Sequence, residues 1–211
     1  SEDIESFQPS NCSFLVSWSL KMSKYFGQPI KSIKLDAGHQ SSRGEIMISK
    51  EGIEGGGIYP LSSTLKKDLE LKLDLLPDWN IEKISRLLTL PRGKASYSNI
   101  LRKRLKLEPI KQAILREFAM DAFGEPNLLA KNIKSLRIPL NGTGPIQTAI
   151  STTGGMKLGS IDKSFMLRSH PGVFCAGEML DWDAPTGGYL LTTCMATGRM
   201  AGKFASQFVS R

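Results

Sequence analysis

The chain has 211 residues, 40% of them apolar and 23% charged, with 28 Lys and Arg against 20 Asp and Glu for a net charge of +8. That composition belongs to a globular protein with enough chain for a core in one large domain or two small ones. It argues against a helix crossing a bilayer, since no apolar run reaches the roughly 18 residues such a span needs, and the acidic, polar start Ser1–Glu5 is no secretory signal.

In chain order, residues 1–60 read as mostly β. Cys12–Val16 suggests a strand, Trp18–Phe26 a short helix ended by Gly27, and Ile30–Leu35 a strand. A turn over Gly38–Arg43 then joins it to an antiparallel partner at Glu45–Ile48. The run Gly52–Gly57 is too glycine-rich for a regular element, and reads either as a bulged turn or as a close backbone approach to a ligand. Leu61–Thr64 can start a short helix, and Leu71–Leu75 alternates as a strand.

Residues 78–134 read as helical. Asn80 can cap a helix over Ile81–Leu88, Ser96 or Ser98 one ending near Leu105, and Pro109 and Pro126 fit the first turns of helices ending near Phe118 and Lys134. Ser135–Leu140 then returns as a strand. After Asn141–Gly144 the apolar stretch Pro145–Thr152 is β-prone, Thr153–Gly155 looks like a turn, and Leu158–Arg168 suggests a hairpin.

The C-terminal stretch is the most informative. Val173–Ala176, between Pro171-Gly172 and Gly177, reads as a buried strand. Leu190, Leu191, Cys194, Met195, Met200 and Ala201, with small residues at Ala196, Gly198 and Gly202, predict a long, mostly buried helix to about Phe208. Between them lies a loop with Asp181, Asp183, Pro185, Thr186, Gly187 and Gly188. A glycine-rich loop feeding a helix whose first amides lack partners makes a pocket for negative charge.

Positive charge is concentrated in residues 61–140, which hold 16 Lys and Arg against 9 Asp and Glu, most densely at Arg102–Lys106. A solvated helix face explains this. The alternative is a module over residues 80–134 that binds RNA or another polyanion. The few aromatics there, with none among Arg102–Lys106, argue against a nucleic-acid partner. Cys12, Cys175 and Cys194 lack paired spacing and read as buried, reduced thiols. His39 and His170 alone cannot form a multi-histidine metal site, so no metal is expected.

Ala176-Gly-Glu178, Asp181-x-Asp183 and Thr186-Gly-Gly-Tyr189 resemble the C-terminal flavin-contacting segment of the YhiN-like family of FAD-dependent, NAD(FAD)-utilising oxidoreductases. Upstream, Ser151–Gly155, Leu90–Ser96, Gly52–Tyr59 and Asn11–Phe14 fit the same pattern in the same order, so the resemblance covers nearly the whole chain. It implies an α+β fold: a mostly antiparallel β unit (1–76) and a helical cluster (78–134) form an insertion domain over residues 1–141. Residues 142–211 then return to a FAD-binding domain through a strand and a long helix.

By the same resemblance, Gly177, Glu178, Thr186, Gly187, Gly188 and Tyr189, with Thr153, Gly154 and Gly155, would contact FAD in a cytoplasmic enzyme, and NAD(P)H is a candidate reductant. No residue is assigned as catalytic. The family's strand and G-x-G-x-x-G phosphate loop do not occur here. The chain also opens on Ser rather than Met. It is therefore expected to be a piece of a longer protein, with the dinucleotide-binding half as its partner and little affinity for FAD on its own.

Overall fold

The computed structural model describes residues 2–210, so the domain ends expected at Ser1 and Arg211 lie outside the described residues. The fold is α+β and divides into two units, Ser13–Gly144 and a second made of Ser1–Cys12 with Pro145–Arg211. The expected boundary after residue 141 thus stands beside an observed one after Gly144. The first twelve residues join the C-terminal unit through strand pairing that no local pattern announces.

In that unit, β1 (Ile4–Pro9) pairs antiparallel with the last strand, β8 (Thr152–Met156). The unit Ser13–Gly144 is built on a six-stranded antiparallel sheet. Its strands are β2 (Phe14–Leu15), β3 (Pro29–Ala37), β4 (Gln40–Ile48), β5 (Gly52–Glu54), β6 (Glu70–Asp74) and β7 (Leu136–Pro139), in the order β2-β5-β4-β3-β6-β7. The two edges meet: Leu15 and Asn141 amides donate to Gly142 and Leu15 carbonyls, and Phe14 bridges Thr143. The sheet therefore curls toward a barrel and hides edge groups that would otherwise stay unpaired.

Alternation places Ile33, Leu35, Ile46, Ile48, Leu71 and Leu73 in the core, all fully buried. The β3–β4 turn is tighter than expected, because Ala37 already pairs with Gln40 across Gly38-His39. The glycine run is partly regular after all. A Cβ on Gly52 would lie 1.9 Å from the Phe14 carbonyl oxygen and one on Gly57 2.8 Å from that of Glu45, so these glycines admit neighbouring protein backbone.

Helices cover the sheet as read: α1 (Ser62–Asp68), α2 (Ile81–Thr89), α3 (Tyr97–Leu105), α4 (Pro109–Phe118) and α5 (Pro126–Lys134). Asn80 and Ser96 side chains accept from the Lys83 and Asn99 amides, the capping bonds their sequence positions promise. A short 3-10 helix, Leu20–Tyr25, stands where the Trp18–Phe26 helix was expected.

The C-terminal unit departs further from expectation. Pro145–Ile150 forms no strand, only a 3-10 turn over Ile146–Thr148. Thr153–Gly155, expected to turn, runs inside β8 because β1 supplies its partner. Val173–Ala176 is reduced to one bridge, Phe174 to Met166, flanked by Leu167 and Cys175 amides donating to the Val173 and Phe165 carbonyls. Phe165, in the facing segment, takes φ 64°. Val173 itself is exposed.

The last helix, α6 (Tyr189–Val209), has the expected length but not the expected burial. Ala201 is its single buried residue, while Leu191 and Met195 are 65% and 61% exposed. Cys12 and Cys175 are buried and Cys194 half-buried. Burial pushes the Cys175 thiol pKa up. Among the described residues no helix is long and apolar enough to cross a membrane, and no group of three His, Cys, Asp or Glu is placed to hold a metal.

Candidate functional site

The motifs Ser151–Gly155 and Ala176-Gly-Glu178 meet in the C-terminal unit, where hydrogen bonds tie β8 to the turn Gly177–Met179 and the residues after it. The Asp181 amide donates to the Met156 carbonyl (2.7 Å) and the Gly154 amide to Asp181 Oδ1 (3.1 Å). Glu178 Oε1 accepts from the Thr152 amide (2.9 Å) and hydroxyl (3.3 Å). The structure thus brings Thr153, Gly154, Gly155, Gly177 and Glu178 together.

Packing explains the β8 glycines. A Cβ on Gly154 would fall 2.3 Å from the Ser6 carbonyl oxygen and one on Gly155 2.4 Å from that of Met179. Both sit at positive φ, 92° and 107°, and let three backbone segments close on one another.

Gly177, at φ 76°, faces the middle of α6: its amide donates to Thr197 Oγ1 (3.1 Å), and a Cβ there would lie 3.7 Å from Cys194. Thr186, Gly187, Gly188 and Tyr189 form the exposed entry to α6 instead. Cys194 and Thr197 lie five and eight positions after Tyr189, so this entry lies about 8–12 Å along the axis from the Gly177 contact. Gly188 occupies the cap position at φ 89°. No side chain caps the helix, and a Cβ on Gly188 would meet nothing within 4 Å. A Cβ on Gly187 would lie 3.5 Å from the Tyr189 ring, and the first amides of α6 carry no side-chain cap at the positive end of the helix dipole.

The acidic loop is structural. Asp181 holds β8, and Asp183 accepts a hydrogen bond from the Ser10 hydroxyl. Beside it lies a buried polar latch that single-motif reading missed. Asn11 Nδ2 donates to Ser151 Oγ (2.7 Å) and to the Ala184 carbonyl (2.8 Å), fixing the loop that leads to Gly187. An asparagine leading into the largely apolar run Cys12-Ser-Phe-Leu-Val16 was the available signal, since an amide beside apolar residues needs buried partners.

Much of the basic helical run is also committed. Arg104 spends its guanidinium on the Leu87, Leu90 and Pro91 carbonyls, closing the loop after α2.

Residues 8–151, most of the chain, match the family model described as HI0933-like protein barrel and H2TH domain. The curled sheet and the helices α2–α5 lie inside that match. A curated relative, the 3-dehydro-bile acid delta(4,6)-reductase of Clostridium scindens, is 23% identical over 183 residues, covering 78% of this chain and 44% of the reductase. The chain spans less than half the length of that relative. The matched region contains the upstream motifs Asn11–Phe14, Gly52–Tyr59 and Leu90–Ser96, while the C-terminal motifs from Ala176 to Tyr189 lie beyond it. The chain belongs to the HI0933-like family, and residues 8–151 carry its barrel and H2TH domain.

Proposed function

We propose that this chain is part of an FAD-dependent oxidoreductase, contributing the domain that covers the active site and the helix end that faces the flavin. The observation that carries this reading is the entry to α6: an uncapped helix start behind two glycines at positive φ, open on the outside. Such a surface fits a planar, electron-rich ring edge, which needs close backbone approach and partial positive charge. FAD, when bound, supplies hydride or electron transfer, with NAD(P)H as candidate donor.

The chain's own residues would do the following. Amides of Gly187, Gly188 and Tyr189 hold negative charge at the ring edge, worth about 0.3–2 kcal/mol for a helix terminus. Glu178 keeps Oε2 for a ribityl hydroxyl while Oε1 is engaged by Thr152. Thr153, Gly154 and Gly155 hold the floor on which the Gly177 turn rests, and Thr186 lines the entry.

The partner in this reading is a dinucleotide-binding segment outside the present sequence, which would cover the exposed Leu191, Met195 and Met200 of α6. The reductase relative supports oxidoreductase chemistry, and a cytoplasmic setting belongs to the same reading.

Two variants of the longer, flavin-loaded protein test the assignment. Gly188→Val adds bulk and strains the left-handed backbone. Gly188→Asn adds bulk in a residue that tolerates that backbone. Both should lower bound FAD per protein sharply, with the melting of the Ser13–Gly144 unit unchanged. Wild-type FAD content and an unaltered flavin spectrum in Gly188→Asn would show that this entry only packs.

A further inference from the structure

Within the Ser13–Gly144 unit a cleft of about 800 Å³ opens between the 3-10 helix Leu20–Tyr25 and the helices α3 and α4. That volume falls in the range of small-molecule sites, roughly 300–1,000 Å³. Its shape has a local cause. Ser19 fastens the start of the 3-10 helix to α4, its amide and hydroxyl donating to the two Glu117 carboxylate oxygens (2.5 and 2.6 Å). Trp18 packs on Phe118 with ring centroids 5.6 Å apart, and Met22 is buried beneath the turn. Met22, Pro109, Ala113 and Met120 give the cleft an apolar lining.

The charges around this cleft are one-sided. Lys21, Lys24, Arg102 and Arg116 line it, and among the described residues none of them makes an ion pair. Glu117 is the single carboxylate in the lining, and both its oxygens already accept from Ser19. Arg116 is set in place without being used up. It donates to Ser98 Oγ (2.9 Å) and the Gln112 carbonyl (3.4 Å) and lies 4.8 Å from the Phe123 ring centroid, which leaves other N–H donors available. Arg102 is exposed, with Asn99 Oδ1 as a neighbour at 3.2 Å.

We infer that this cleft is a binding site for a small organic carboxylate with a compact apolar body, an inference independent of the flavin reading. The apolar lining takes the body, and the unpaired cations take the carboxylate, each favouring what the other does not. An extended polyanion fits less well: the cleft is concave and offers one aromatic, Tyr25, for stacking where a single strand would want several.

The test is a fluorescence titration of the purified chain with 2-naphthoate, using the neutral 2-naphthamide as control. We expect saturable binding of one naphthoate per chain, with naphthamide weaker by about tenfold or more, as for loss of a charge-assisted contact. Arg102→Gln, whose side chain is exposed, should keep the melting temperature and weaken naphthoate about fivefold, the upper range for an exposed ion pair. Ala113→Phe fills the cleft and should abolish binding. If that variant misfolds, the double variant Lys24→Gln/Arg102→Gln decides in its place, with a further loss expected beyond Arg102→Gln. Equal affinity for naphthoate and naphthamide, or naphthoate binding unchanged in the folded Ala113→Phe or in the double variant, would overturn the site. So would displacement of naphthoate by polyuridylate that itself binds more tightly, which would mark a nucleic-acid surface.

Discussion

The two units hold themselves together by different means. Ser13–Gly144 closes a sheet on itself and lays helices against it, leaving side chains such as Ile33, Leu73, Leu101 and Ile114 wholly buried. The other unit has a small cluster, Ile161, Leu167, Cys175 and Leu180, with Met156, Phe165 and Trp182 packed on it. Its order comes largely from hydrogen bonds: β1 to β8, Asn11 to Ser151 and Ala184, Asp181 to Gly154, Glu178 to Thr152. Burial is the larger and less directional force; buried hydrogen bonds contribute less but fix geometry. One unit is thus built to be stable and the other to hold a backbone shape, with Leu191, Met195 and Met200 of α6 exposed.

The largest expected effect sharpens that contrast. Leu101→Ala should cost about 2–5 kcal/mol in urea unfolding, as wholly buried leucines do, whereas Leu191→Ala on α6 should stay within about 0.5 kcal/mol. Comparable losses from the two substitutions would erase the distinction.

A smaller effect follows from the latch. Asn11→Ala leaves the Ala184 carbonyl without its side-chain partner and Ser151 Oγ with the backbone amide of residue 11 alone (3.3 Å), a cost of about 1–3 kcal/mol for buried groups. Amide exchange over residues 181–188 should quicken while protection in β3 and β4 holds. Unchanged exchange in that loop would mean that Asp181 and Asp183 suffice to fix it.

The smallest concerns the barrel unit's own polar exception. The buried Lys111 amine donates to the Ser32 and Leu75 carbonyls (3.1 and 3.0 Å), at the bulge where Ser32 takes φ 51°. Burial holds its pKa below the ordinary 10.5. Below that depressed value the amine is charged in both states and the fold carries the desolvation cost. As pH climbs from there toward 10.5 the native state releases its proton first, so this group's contribution makes stability rise. Lys111→Met should remove that rise, seen as a wild-type minus variant difference in unfolding free energy across the window. A difference that is flat or of opposite sign would place the amine in water.

What could be read from the sequence follows a physical line. Asn80, Ser96, Pro109 and Pro126 marked their helices because a cap or a fixed φ acts within one turn. Leu71 and Leu73 marked a strand because alternation is local. Thr153–Gly155 could not be recognised as a strand, since its partner is β1, some 150 residues earlier in the chain. Val173–Ala176 carried the composition of a buried strand but lacked a neighbour long enough to pair with it. For the candidate site, the motifs located the entry to α6. They could not show that the Gly154 and Gly155 spaces are taken by protein, or that Asp181 and Asp183 are bound internally.

By itself the sequence determined the α+β class, the helices between residues 81 and 134, the strands that alternate, and a glycine-paired helix start at residue 188. Each is set by propensity, capping or periodicity over a few residues. The tertiary structure alone decided that the sheet closes on itself, that residues 1–12 belong with the C-terminal unit, and that α6 is exposed. Pairing and burial depend on what lies opposite in space, and no local stretch of chain encodes that.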